Sequence, residues 1–354
     1  MEDILTREER ILLSLRSLYA AMGYRPYKMG KFEEYDFYAE NRRFLESGNI
    51  VTFTDTTGAL MALKPDVTLS IAKGAAARTD TLKVYYNESV YRAPDADAGF
   101  QEITQSGLEC IGAVDAYAMG EVLMLAAESL RAVSSAFALD VSHLGYIAAL
   151  LPELGLEGEA ASAALRALGA RNAPELAAIL RSAGAPEGLS RLMGRFALMY
   201  GPLEELLPEL AAAAVNDGMR AACAELAGVA DALRGFGCLG DVRLDLSIMA
   251  DMEYYNGLIF KGYVQGAPSA VLSGGRYDAL MRKFGREAGA MGFAVYLNLL
   301  EHLGGERQEP PECEVLLYDG SESPAEIAAR AKAIAAKGDR VLVRHREEEG
   351  GAKA

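Results

Sequence analysis

Arg92, Gln105 and Glu109 are the residues whose types and spacing best fit a binding chemistry. Arg92 closes the strand-like run Leu82–Tyr91, and Gln105 and Glu109 lie four apart on the returning run Gln101–Ile111. In an extended chain side chains alternate, so residues four apart share a face. A guanidinium can hold a carboxylate by two parallel hydrogen bonds, and a carboxylate can accept from an ammonium, so the trio could grip a zwitterion with Gln105 as the neutral partner. A solvated sheet face would account for the same alternation. Two further clusters are less specific by themselves. Asp251 and Glu253 precede Tyr254-Tyr255-Asn256-Gly257, and Ser273-Gly274-Gly275-Arg276-Tyr277-Asp278 lacks the GxGxxG spacing of a dinucleotide loop. Neither a phosphate-loop lysine motif nor a GxSxG elbow occurs, which leaves no visible nucleophile. His143, His302 and His345 form no HExxH, and Cys110, Cys223, Cys238 and Cys313 form no CxxC. No metal site, cofactor or disulfide framework is expected, and a reducing compartment fits best.

Several elements should position these residues. Thr6 and Glu9 form a capping box before a helix reaching about Ala21, whose apolar face is Ile11, Leu12, Leu15, Leu18 and Tyr19; Gly23 ends it. Val51–Asp55 and Leu60–Leu63 flank Thr56-Thr57-Gly58 as a hairpin, and Pro65 opens a short helix near Asp66. The runs carrying Arg92 and Glu109 form a long hairpin around Ala93–Gly99. A helix from Asp115 to about Ser135 and a strand from Asp140 to Tyr146 lead into text dense in Ala, Leu and Glu, which Gly169, Gly184-Ala185-Pro186 and Gly201-Pro202 cut into short helices. Strand signals return at Val242–Met249, Tyr255–Val264, Ala270–Ser273 and Gly292–Tyr296, before a helical Leu297–Leu303. The fold class is therefore α+β, an antiparallel sheet interrupted by helices. Residues 1–115 and 240–305 form the core, 116–239 a mainly helical insertion and 311–345 a short β-α-β unit. Residues 346–354 form a frayed tail.

The 354 residues suffice for such a core, and 51% hydrophobic against 24% charged excludes a disordered polymer. A net charge of −15 disfavours nucleic acid as a partner, because that affinity rests on cations neutralising phosphates. No run is long enough to span a membrane, and the charged start MEDILTREER is unlike a secretory signal, so a cytoplasmic protein is expected.

Taken in order, five segments resemble the catalytic core of histidyl-tRNA synthetase, a class II aminoacyl-tRNA synthetase fold. Leu63-Lys64-Pro65-Asp66-Val67-Thr68 looks like the family's LRPE/D-x-T segment, Val90-Tyr91-Arg92 like its motif 2 arginine, and Gln105-Ser106-Gly107-Leu108-Glu109 like its QxGxE strand. Ala250–Tyr255 lines up with RGLDYY, and Ser273–Ala279 with GGGRYDGL. The resemblance assigns Asp66, Thr68, Arg92, Gln105, Glu109, Tyr254, Tyr255 and Tyr277 to a histidine pocket. It also exposes departures. Ala250 and Leu299 replace two arginines that serve amino-acid activation and ATP, Pro94 replaces a glutamate, and Asp95 and Asp97 stand where the loop should be basic. Loss of one electrostatic contributor can slow such chemistry by about 100- to 1000-fold.

An amino-acid site kept beside a degraded ATP site resembles the regulatory subunits of ATP phosphoribosyltransferase. That resemblance implies a chain without catalysis of its own, which activates the short-form catalytic subunit and confers histidine feedback on the first step of histidine biosynthesis. It further implies histidine as ligand, self-association as a dimer through the region from Leu12 to Phe37, and no need for tRNA. An active histidyl-tRNA synthetase, or another synthetase paralogue acting as a binding module, are the alternative readings.

Overall fold

The structure, a computed structural model, describes residues 5–45, 49–92, 99–250, 252, 254–300, 313–319, 321–337 and 340–346. The chain divides into two units, residues 1–303 and 304–354. The first opens with α1 (Arg7–Ala21), β1 (Arg25–Pro26), β2 (Phe32–Glu34), α2 (Tyr35–Glu40), β3 (Thr52–Thr54), β4 (Leu60–Leu63) and α3 (Thr68–Ala75). The hairpin of β5 (Leu82–Arg92) and β6 (Gln101–Gly112) follows, then α4 (Ala116–Val133) and β7 (Phe137–His143). Next come α5 (Leu144–Leu150), α6 (Gly158–Gly169), α7 (Ala173–Ser182), α8 (Glu187–Phe196), β8 (Tyr200–Pro202), α9 (Leu203–Ala212) and α10 (Asp217–Phe236). The unit ends with β9 (Val242–Asp245), β10 (Leu258–Val264), β11 (Leu272–Arg276), α11 (Asp278–Lys283) and β12 (Gly289–Tyr296). The second unit holds β13 (Glu314–Tyr318), α12 (Pro324–Ala336) and β14 (Val341–His345), its two strands paired in parallel.

Nine strands form one sheet in the order β1-β5-β6-β12-β11-β10-β7-β9-β8. Its pairings are antiparallel except β1–β5 and β7–β9. The fold is thus the expected α+β class, a mixed, mostly antiparallel sheet flanked by helices.

One face of the sheet is sealed by α1 and α4. The Thr6–Glu9 capping box starts α1, and Ile11, Leu15 and Tyr19 are its buried stripe. The Tyr19 ring lies 6.0 Å from both Tyr85, tilted, and Phe293, edge to face, and its hydroxyl meets Ser129 on α4. Of the 18 residues of α4, 13 are buried, as a helix covered by the sheet on one side and α10 on the other requires.

Several boundaries differ from the sequence reading. β7 runs over 137–143 rather than 140–146, because His143 Nδ1 accepts from the Tyr146 backbone N–H and caps α5. The strand expected over 242–249 stops at Asp245, whose Oδ1 accepts from the Ser247 N–H and hydroxyl and turns the chain. Leu258, not Tyr255, begins β10, and β11 runs over 272–276 rather than 270–273. Gly201-Pro202 does separate α8 from α9 as expected, but it lies in β8, an edge strand where proline leaves no ladder bond unmade. Within the span 116–239, α4 covers the sheet while β7 and β8 join it, so α5–α10 are what is inserted between sheet strands.

Candidate functional site

Alternation along the sheet separates core from site. Tyr85, Leu108 and Leu272 face the core under α1 and α4, whereas Tyr86, Gln105, Glu109 and Ser273 line a cavity of about 300 Å³ on the other face. All eight residues assigned to the pocket by resemblance line this cavity: Asp66, Thr68, Arg92, Gln105, Glu109, Tyr254, Tyr255 and Tyr277. The structure therefore brings together residues from all five motif segments. A solvated face does not describe them, since Gln105 and Glu109 are 4% and 2% exposed.

The segment before α3 is fixed from below. Lys64, 1% exposed, pairs its ammonium with Glu88 on β5, and the Tyr91 N–H donates to the Lys64 carbonyl. This holds the chain so that Arg92 Nε donates to the Pro65 carbonyl at 3.2 Å and Asp66 Oδ1 accepts from the Leu69 N–H at 2.7 Å. Breaking such a buried pair from one side leaves an uncompensated charge and costs about 3–5 kcal/mol.

Glu109 is the centre of the cavity. Thr68 Oγ1 donates to its Oε1 at 2.7 Å, and the Tyr277 hydroxyl donates to its Oε2. Burial nonetheless pushes its carboxyl up to about 8; the Tyr277 and Thr68 hydrogen bonds oppose the shift and Asp66 adds to it. Each carboxylate oxygen retains acceptor capacity for a ligand cation. Gly292 faces Glu109 across the β6–β12 ladder, and a Cβ there would lie 1.8 Å from Oε2, so only glycine leaves room for the carboxylate. An aromatic wall completes the cavity: Tyr254 lies 4.5 Å from Tyr255 and 5.9 Å from Tyr277, ring to ring.

The positions that the resemblance reads as departures fall in different places. Ala250 lines the cavity, where it offers a methyl group and no charge. Leu299 ends a short 3₁₀ turn, Leu297–Leu299, and packs against the main core. Pro94, Asp95, Asp97, Asp251 and Glu253 lie outside the described residues. Ser273, singled out with the cluster 273–278, lines the cavity too, and Tyr86, Lys261 and Tyr296 also line it and were missed. Counting back by twos from Arg92 would have found Tyr86, but no local pattern marks the others.

Among the described residues no group of acidic, histidine and cysteine side chains could hold a metal ion, and no helix is long and apolar enough to cross a membrane.

The histidyl-tRNA synthetase family model matches residues 2–300. An ATP phosphoribosyltransferase regulatory subunit from Geobacillus thermodenitrificans is 34% identical over 82% of this chain and 75% of its own. The chain belongs to this synthetase-like family of regulatory subunits. A crystal structure described as an ATP phosphoribosyltransferase regulatory subunit/histidyl-tRNA synthetase from Bacillus halodurans superposes with a TM-score of 0.81 at 27% identity, covering 98% of this chain and 90% of the other. A chain of the ATP phosphoribosyl transferase (HisG:HisZ) complex from Thermotoga maritima shares the fold, with a TM-score of 0.65 at 20% identity over 82% and 97% of the two chains.

Proposed function

We propose that the chain is a non-catalytic regulatory subunit of ATP phosphoribosyltransferase, which activates the short-form catalytic subunit and makes it responsive to histidine. The observation that carries this reading is the cavity around Glu109, with donors and acceptors suited to a free amino acid and a neutral Ala250 at its wall. In this reading Glu109 meets the histidine ammonium, Arg92 its carboxylate, and Tyr254, Tyr255 and Asp66 shape the remaining space. Adenylate chemistry needs cations to offset developing phosphate charge, and Ala250 and Leu299 supply none. A homodimer formed through α1 and the chain that follows it completes the assembly in this reading.

Co-purification with the short catalytic subunit, followed by a phosphoribosyl-transfer assay, tests the proposal. The expected result is a stable complex, faster turnover than the catalytic subunit alone, and inhibition by histidine that Glu109→Ala removes. Histidine-dependent pyrophosphate exchange by the purified chain would overturn it in favour of an active synthetase. Light scattering should show a dimer at micromolar concentration without the partner.

A further inference from the structure

A second cavity, of about 590 Å³, adjoins the amino-acid pocket. Ile248, Met249, Ala250 and Lys261 line both, and the methyl group of Ala250 places no charge in their common wall. The cations lining the second cavity are Arg166, Arg171 and Lys261, against the single carboxylate of Asp245 among its described residues. Arg171 is paired with Asp245 and Arg166 with Glu159, which leaves Lys261 as the unpaired cation of this hollow, in a chain carrying a net −15.

Lys261 is the telling group. It is partly buried on β10, and among the described residues it has no hydrogen-bond or ion-pair partner. Its cross-strand neighbours are Asp140 on β7 and Ser273 on β11. The Ser273 hydroxyl is engaged with Tyr296 at 2.7 Å, while Asp140 Oδ1 is buried without a partner of its own. The ladder thus sets a lysine opposite a carboxylate, and the two do not pair. The ammonium keeps contact with water and is unpaired, which leaves it available to an anion entering the cavity. Nearby, Arg171 is pre-set: it holds a left-handed backbone at φ 52°, and Asp245 Oδ2 and Ser247 Oγ orient its guanidinium at 2.5 and 2.9 Å. Tyr263 also lines the cavity, and Leu165 and Met249 give apolar wall.

We propose that this second cavity is an anion subsite for a phosphate-bearing small molecule, with Lys261 as its central contact and Arg171 and Tyr263 beside it. A phosphate has several oxygens for donors arriving from different directions, and the volume leaves room for an organic body. The site is separate from the proposed histidine contacts and does not depend on them.

The test is titration of the full chain, in phosphate-free buffer, with inorganic phosphate, pyrophosphate and AMP, read by calorimetry and by ³¹P line broadening. Saturable binding by the wild type is expected, weakened about tenfold or more in Lys261→Met and retained in Lys261→Arg, since a charged hydrogen bond is lost only in the first. Tighter binding of AMP than of phosphate would identify a phosphorylated organic occupant, and equal binding the free ion; both support the subsite. Should the methionine variant fail to fold, Lys261→Gln takes its place. No binding of any probe by the wild type at about 10 mM, the weak limit of specific recognition, would overturn the proposal. Equal binding by wild type and charge-removed variants would do the same, and would leave Lys261 as a partner of Asp140 in solution.

Discussion

Proton release is a direct consequence of the pocket's electrostatics. In the empty cavity the Glu109 carboxyl, raised by burial to about 8, is protonated in roughly nine of ten molecules at pH 7. In the proposed binding mode the histidine ammonium meets the carboxylate, so binding should expel about 0.9 proton per site at pH 7 and about 0.5 at pH 8. Ionising the group at pH 7 costs about 1.4 kcal/mol, and affinity should therefore rise about fivefold from pH 7 to pH 8 before levelling. Free imidazole titrates near 6.5, so measurements above pH 7 separate the two ionisations. Calorimetry in Tris and HEPES, whose ionisation enthalpies differ, reads the released proton directly. A buffer-independent enthalpy at pH 7 with binding intact, or an affinity that falls between pH 7 and 8, would refute this account of Glu109. The same shift has a stability consequence of definite sign. A carboxyl whose folded value lies above its unfolded one stabilises at low pH, and that contribution is lost as pH rises from about 4.5 to 8, by at most about 5 kcal/mol. Histidine should restore part of that loss.

Three further outcomes follow from the geometry. Gly292→Ala should abolish histidine binding and lower the melting temperature, because its Cβ would lie 1.8 Å from Glu109 Oε2 and 2.4 Å from the Leu108 carbonyl, a backbone atom that cannot step aside; calorimetry and thermal melts check both. Asp140, which burial and the neighbouring Asp245 raise to about 6, should make the protein less stable as pH rises from about 4 to 6, by at most about 3 kcal/mol; Asp140→Asn should flatten that slope in urea titrations at pH 4.5 and 7.5. Lys64→Ala should lower the urea midpoint by the equivalent of about 3–5 kcal/mol at unchanged m, and the Lys64→Ala/Glu88→Ala double variant should lose less than the two single losses added.

What could be read from the sequence was what local chemistry writes there. The Thr6–Glu9 box, the Gly58 turn and the β5–β6 hairpin each need only neighbours in the chain, and each formed at the expected place. Ordered motifs likewise carried all eight pocket residues to one cavity. Where tertiary partners decide, the reading fell short. Asp245 looks like one more strand residue until its turn with Ser247 is seen, and His143 looks like a strand residue until it caps α5. Lys64 reads as part of a motif, but its burial against Glu88 depends on β5 lying beneath it. Lys261 is inconspicuous in the sequence because its environment is set by β7 and β11, which lie more than 100 and about ten residues away in the chain.

The inserted helices bear on the pocket through one polar network. His143 Nδ1 accepts from the Tyr146 N–H, which leaves Nε2 as the protonated nitrogen facing Glu225 Oε1 of α10 at 3.0 Å. Arg276 Nη1 donates to the other oxygen of Glu225 at 2.7 Å, and its Nε donates to Asp278 at 2.9 Å. Burial alone would raise the Glu225 carboxyl, but His143 and Arg276 outweigh it and hold the group below the ordinary range. Asp278 in turn accepts from the Ala290 N–H on β12 and from Asn256, the residue after Tyr255. Tyr277 lies between Arg276 and Asp278, so the hydroxyl that reaches Glu109 is carried on a backbone clamped from both sides. A single carboxylate of α10 is therefore part of what fixes the tyrosine wall. The GGRYD segment cannot be read as a self-sufficient local motif, because its arginine and aspartate are spent on holding the sheet to a helix about 50 residues earlier in the chain.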